Sequence, residues 1–434
     1  MGNSVLVFRY LKNLTLSAFI LAFSSSTAIA EQILISSQNQ VPKEYFGMHF
    51  HRADAGTPWP KVPIGSWRLW DAITTWPDLE PERGKWDFRR LDSYLIRAKL
   101  SDTRILLPLG LTPTWASARP NEKSPYRPGN AAEPSSIEDW KHYVRTVAER
   151  YKGRIHEYEM WNEVNVPGFY SGNVETMVAL TRETYLILKA IDPENKLVSP
   201  SVVGNISEAS PWLDEFLKKG GGQYIDIIGY HFYVPQGRPE VMIPLIKQVL
   251  NVMKVHGISD KPLWNTETGW LIRSNEQDFA PGSYDKSWQV LDYDKAPAYL
   301  ARALIIAWAS GVQRFYWYAW DNAVMGLIEP KSKRSKTAAQ GYATVVRWLE
   351  GASKVSCMKQ ATTWGCSLID TDGVNTHIIW SESDSNVAFN IPLDWKAEKI
   401  ESLDGSQRNI QSNSSRAILI SGHPVRLLPS KVTR

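Results

Sequence analysis

Ile155-His156-Glu157-Tyr158-Glu159-Met160-Trp161-Asn162-Glu163 is an apolar and aromatic run that closes on a carboxylate. A second run, Lys261-Pro262-Leu263-Trp264-Asn265-Thr266-Glu267, ends in the same way. Such runs read as buried β-strands, so Glu163 and Glu267 are expected where a strand gives way to a loop. Working outward, strand-like segments are expected at 45–51, 66–71, 104–110, 156–163, 196–202, 225–233, 262–270 and 314–320. Helical patterns lie between them. Residues 137–151 are opened by Ser136, with Asp139 three residues later, and closed by Gly153. Trp140, Tyr143, Val144 and Val147 recur there at helical spacing. Further helices are expected at 177–191 and at 297–310, the latter between Pro297 and Gly311.

Eight strands alternating with helices predict an α/β chain folded as a (β/α)8 TIM barrel, whose usual length is roughly 250 residues. A doubly wound sheet is the competing architecture, but the chain has no glycine-rich first turn. A barrel presents catalytic groups at the C-terminal ends of its strands. Counting places Glu163 at the end of strand four and Glu267 near the end of strand seven. Two long connections, 111–135 and 271–295, follow strands three and seven and are expected as cleft walls. They carry Trp115 and Tyr126 in one case and Phe279, Tyr284 and Trp288 in the other. Beyond residue 350, short strands are expected at 363–369, 376–380, 387–390, 399–403 and 417–421, with Thr371-Asp372-Gly373 and Asp404-Gly405 as turns. They read as a small β-sandwich-like domain, with 32–36 a candidate to rejoin it.

The chain opens with a signal-peptide pattern over 1–30: Arg9 and Lys12, an apolar stretch from Leu14 to Phe23, then Ala28-Ile29-Ala30. The expected organisation is therefore a signal at 1–30, a segment at 31–44, a catalytic barrel at 45–350 and a β-domain at 351–434. The mature protein is expected to be periplasmic or secreted, or held at the inner membrane if the signal stays uncleaved. No later segment reads as a membrane span. Of 49 basic and 45 acidic residues, removal of the signal takes two basic ones, which leaves a net charge near zero and argues against a nucleic-acid partner. The 19 Trp and 18 Tyr suit stacking on sugar rings, although most rings in any chain fill its core. In an oxidising compartment Cys357 and Cys366 are expected to pair across a hairpin, the alternative being two buried thiols.

Two carboxylates delivered by strand ends suit glycoside hydrolysis, one as acid and the other as nucleophile or base. Asn162 and Glu163 are consecutive, so both reach a ligand only if the strand bulges or ends there. Arg68 on strand two is positioned either to keep the nucleophile ionised or to form a rim salt bridge. His231 and Tyr233 on strand six share a face by two-residue spacing. His49-Phe50-His51 on strand one also suits a metal hydrolase. Such a site wants a histidine on strand five, where Pro200-Ser201-Val202-Val203 offers none. His49 and His51 are accordingly read as substrate contacts or rim residues, with no metal.

Tyr158-Glu159-Met160-Trp161-Asn162-Glu163-Val164-Asn165 and Leu263-Trp264-Asn265-Thr266-Glu267-Thr268-Gly269-Trp270 resemble the motifs of retaining (β/α)8 glycoside hydrolases with catalytic glutamates on strands four and seven. Within that clan the chain resembles glycoside hydrolase family 39, particularly its PslG-like exopolysaccharide hydrolases. The resemblance implies Glu163 as acid/base, Glu267 as nucleophile and Asn162 on the sugar 2-hydroxyl. It also implies His231 and Tyr233 beside the nucleophile and Trp320 as a platform beneath the cleaved sugar. Trp115, an aromatic of the first long loop, is a further candidate substrate contact. The implied activity is retaining endo-hydrolysis of a bacterial exopolysaccharide, as in biofilm, by a monomer that needs no cofactor and whose partner is a polysaccharide or oligosaccharide. Rival readings are an exo-acting β-glycosidase such as a β-xylosidase, a non-catalytic polysaccharide-binding protein and a metal-dependent amidohydrolase. Glu157 and Glu159 receive no role.

Overall fold

The computed structural model describes residues 33–276, 286–383, 385–410 and 416–429. The expected signal at 1–30, together with Phe279 and Tyr284, lies outside them. The barrel strands are Phe46–His49, Ser66–Arg68, Arg104–Leu109, Glu157–Met160, Lys196–Val198 with Val202–Val203, Ile228–His231, Leu263–Thr268 and Val312–Trp317. All pair in parallel with their sequence neighbours, and the eighth returns to the first, setting Phe315 beside Phe46 and Trp317 beside Met48. The fifth strand, expected as one run, is broken at Ser199-Pro200-Ser201, where proline has no N–H for the ladder. Its first half pairs with strand four and its second with strand six, and a bridge from Val198 to Ile227 closes the ring.

The outer helices follow from their patterns. Ile137–Arg150 starts where the Ser136 side chain accepts from the Glu138 N–H, and it buries Trp140, Tyr143, Val144 and Val147. Val174–Ile191 begins three residues earlier than its apolar periodicity suggests, because Asn173 caps it through the Thr176 N–H. Lys295–Ala309 also starts early, so Pro297 falls in the first turn, where no N–H is needed. From Ala296 to Ala309 every residue of that helix is buried. A helix apolar on all sides needs cover on its outer face, and the C-terminal sheet supplies it.

That sheet has seven strands in the order Ile33–Ser37, Ser353–Gln360, Thr363–Ile369, Asn375–Ser381, Val425–Pro429, Ala397–Glu401 and Gln407–Asn409. The N-terminal segment is thus its edge strand, with Ile35 opposite Cys357. A two-stranded sheet, Val387–Asn390 with Ala417–Ile420, packs over its far side around Ile379, Ile400, Ile418, Ile420 and Leu427. Ser353–Gln360 and Val425–Pro429 escape a reading of the sequence because lysine, serine and arginine break up their apolar positions. On the barrel side, Trp380 donates to Glu240 Oε1 at 2.8 Å and Trp348 to Glu401 Oε2 at 2.9 Å. Val355, Trp364 and Trp380 belong to the same hydrophobic core as the barrel helices. Cys357 and Cys366 face each other across the first hairpin and are joined by a disulfide.

Candidate active site

The fourth strand ends at Met160, and the next three residues leave the pleat. Trp161 and Glu163 adopt left-handed conformations, φ 53° and 45°, on either side of Asn162. This breaks the two-residue alternation, so Asn162 and Glu163 both face the cleft. Left-handed backbone costs a non-glycine residue roughly 1–2 kcal/mol, and local packing offsets it. The Trp161 N–H still bonds the Leu109 carbonyl at 2.7 Å, while its indole is fully buried and donates to the Phe169 carbonyl at 2.7 Å. Two residues past Glu163, the Asn165 amide clamps Val203, donating to its carbonyl at 2.7 Å and accepting from its N–H at 3.0 Å.

Arg68 organises the floor. Completely buried at the end of strand two, it donates to Glu159 Oε2 at 2.5 Å, Glu267 Oε2 at 2.9 Å and Asn162 Oδ1 at 2.7 Å. Because the Asn162 oxygen faces the guanidinium, its amide N–H groups are the end left for a ligand. The other Glu267 oxygen accepts from Tyr233 OH at 3.0 Å. Glu163 Oε1 lies 2.9 Å from His231 Nδ1. Ligating atoms of Glu163, His231 and Glu267 all lie within 4.8 Å of one another. This cluster could hold a cation, although the positive charge of Arg68, bonded to Glu267 Oε2, opposes one.

Both carboxyls are pushed up to about 7, chiefly by burial; Asp71 adds to the rise at each and Glu163 to that of Glu267, while Arg68 opposes it at both and His231 opposes it at Glu267. Two acids this close share their protons as a unit. The donors decide where the shared proton rests. Arg68 and Tyr233 favour the charged form of Glu267, whereas Glu163 faces an imidazole that burial pushes down to about 4 and so keeps neutral near pH 7. This asymmetry suits Glu163 to hold the proton and Glu267 the charge.

The cleft above has a volume of about 1010 Å³. Trp70, Tyr126, Phe169, Trp288 and Tyr318 give it aromatic walls, and Val203, Val234 and Leu245 an aliphatic one. Asn162, Glu163, Tyr233 and Glu267 line it; Arg68 and His231 touch the carboxylates from beneath. Three expected contacts lie elsewhere. His49 is fully buried, with Nε2 3.1 Å from the Thr266 carbonyl and 3.9 Å from Glu267 Oε2, so it sits behind the carboxylate. Trp115 packs edge-on against Trp76, donates to the Glu80 carbonyl and carries the Arg83 guanidinium on its face. Trp320 is buried with its indole on the Pro58 carbonyl, and Tyr318 is the strand-eight aromatic that reaches the cleft. Glu159, Asp71 and Tyr318 are the site residues that sequence reasoning missed. Glu159 did carry a signal, since it lies on the same strand face as Glu157, inside the barrel.

Residues 134–324 match the model of a family described as "Glycosyl hydrolase catalytic core". Several solved structures share the fold. A family 39 glycoside hydrolase from the gut symbiont Bacteroides cellulosilyticus is similar at 17% identity over 89% of this chain and 81% of that one, with a TM-score of 0.70. A monomeric β-xylosidase from Caulobacter crescentus is similar at 14% identity over 91% and 98%, TM-score 0.64. A family 30 endoxylanase from Clostridium papyrosolvens is similar at 12% identity over 90% and 97%, TM-score 0.59. The shared architecture spans barrel and β-domain alike.

Proposed function

We propose that this protein is an exported retaining glycoside hydrolase that cleaves within a polysaccharide chain, with a bacterial exopolysaccharide as the substrate class. The observation that carries the reading is the Glu163–Glu267 pair, with one carboxylate oxygen of each within 4.8 Å of the other and with unequal donors. Retaining glycosidases keep their carboxyl groups about 5–5.5 Å apart, whereas inverting ones need roughly 6.5–9.5 Å to admit a water. In the first step Glu267 attacks the anomeric carbon while Glu163 gives its proton to the departing glycosidic oxygen. The product is a glycosyl ester on Glu267. Glu163, now ionised, takes a proton from water; the water attacks the anomeric carbon and the ester bond breaks, which restores both groups. Asn162 offers its amide to the 2-hydroxyl of the reacting sugar, and Tyr318 offers a ring wall.

Endo action is supported by the cleft, whose volume is at the upper end of the roughly 300–1,000 Å³ usual for small-molecule pockets and leaves room for more than one sugar. The exo reading is favoured by the likeness to a protein described as a β-xylosidase. Export rests on the basic, apolar and small-residue pattern of residues 1–30. Among the described residues no helix is long and apolar enough to cross a membrane. The test is to incubate the protein and its Glu267→Gln variant with a panel of exopolysaccharides and to follow product size and anomeric configuration. Oligosaccharides of retained configuration, absent with the variant, are expected. Monosaccharide alone would establish the exo reading, inverted products or an active variant would overturn the mechanism, and loss of activity with chelator would restore a metal route.

A further inference from the structure

The charge lining the cleft is one-sided. Among the described residues that line it, Asp71, Glu163 and Glu267 are acidic, and none is Lys, Arg or His. The nearest cation of the site, Arg68, is sealed beneath the floor and already bonded to Glu159 and Glu267.

Asp71 is built into the wall. Tyr126 OH donates to its Oδ1 at 2.8 Å and Tyr318 OH to its Oδ2 at 2.6 Å. The Tyr126 ring is itself held edge-on by Trp70. Each carboxylate oxygen thereby keeps one lone pair for a further donor. The facing wall, with Val203, Val234, Val241 and Leu245, offers no charged group.

We propose that the cleft takes an uncharged sugar chain and rejects uronate-bearing chains, and that Asp71 is the residue that sets this preference. A neutral sugar can donate hydroxyls into the open lone pairs of Asp71. A uronate at the same place meets carboxylates and finds no cation to replace the water it gives up. Rejection by repulsion is an ordinary route to specificity. The inference rests on the glycosidase reading above.

The test measures binding of Glu267→Gln protein, alone and combined with Asp71→Asn, to an array of neutral fragments (β-glucan, xylan, mannan) and uronate-bearing fragments (alginate, glucuronoxylan, hyaluronan). Two unit charges about 4 Å apart in water interact by about 1 kcal/mol, so repulsion by Asp71, the charged carboxylate that the Glu267→Gln protein keeps, weakens acidic chains by about fivefold at low salt. The gap should narrow with Asp71→Asn and in high salt. Acidic chains bound as well as neutral ones would overturn the charge inference and leave the glycosidase reading standing. A gap unchanged by Asp71→Asn would remove Asp71 from it. Neutral binding without hydrolysis by the wild type would overturn the enzymatic reading alone, and no binding to any fragment would overturn both.

Discussion

Replacing Tyr233 with phenylalanine should narrow the pH range of activity from its acidic side. The phenol lies 3.0 Å from Glu267 Oε1, and Arg68 holds the other oxygen at 2.9 Å. The variant thus removes one of two hydrogen bonds to the carboxylate and leaves the ring in place beside Trp288. A hydrogen bond to a charged group contributes about 1.5–3 kcal/mol, and one pKa unit corresponds to about 1.36 kcal/mol. Loss of the bond therefore raises the Glu267 pKa by about 1–2 units. Glu267 reacts as the anion, so the limb along which activity falls with falling pH moves upward by that amount. The opposite limb reports loss of the pair's last proton, held mainly on Glu163, and moves less. The two limbs close on each other, and kcat/KM at the optimum falls by about tenfold or more. The assay is kcat/KM for an aryl glycoside across the pH range, with circular dichroism to show that the variant is folded. A shift of the alkaline limb alone would place Tyr233 on the acid rather than the nucleophile. Uniform loss with both limbs unmoved would mean that the hydroxyl contacts sugar and does not tune the carboxylate.

Glu163→Ala should lose about 10²–10⁴ in kcat on sugars with poor leaving groups and far less on activated aryl glycosides, with azide restoring turnover and trapping a product of retained configuration. Glu159→Gln breaks a fully buried ion pair with Arg68 and should cost about 3–5 kcal/mol, read as a lower thermal midpoint together with reduced kcat. Cys357→Ser opens a disulfide between residues nine apart in sequence and should destabilise the protein by about 2–3 kcal/mol on the loop-entropy model. Reductant should then lower the wild-type melting curve to that of the variant and leave the variant unchanged.

The scaffold was legible because eight strand ends recur with helices of matching length between them, and closure of the ring follows from that count. The fifth strand shows where counting stops: Pro200 interrupts the ladder, and only tertiary pairing identifies the halves as one strand. The β-domain was harder to read. Strands such as Ser353–Gln360 carry lysine and serine at exposed positions, and they become strands by burying Val355 and Cys357 against the barrel helices. The same contact explains why Lys295–Ala309 is apolar on every side, a pattern that points to burial without saying by what.

At the site, two-residue periodicity tells which face a side chain takes and is silent about height along the barrel axis. Tyr316, Tyr318 and Trp320 share one face in sequence, yet they serve three levels. Tyr316 is buried in the barrel interior, where the electrostatic influence of Arg314 and Glu157 reaches it. Tyr318, one residue past the end of the strand, bonds Asp71 at the cleft. Trp320 has moved on to cover the first loop, its N–H on the His49 carbonyl at 2.8 Å. Trp320 thus stands away from the cleft lining, and His49 lies beneath the carboxylate, a difference in height that periodicity does not carry. Pairing is equally hidden: Glu159, Asn162 and Glu267 come from two strands and one loop, and only the reach of Arg68 unites them. Asn162 and Glu163 both reach the cleft because left-handed Trp161 and Glu163 end the alternation there. Restoring an extended backbone there would turn either Asn162 or Glu163 away from the cleft, which is why the strain at this corner belongs to the chemistry and not to the barrel.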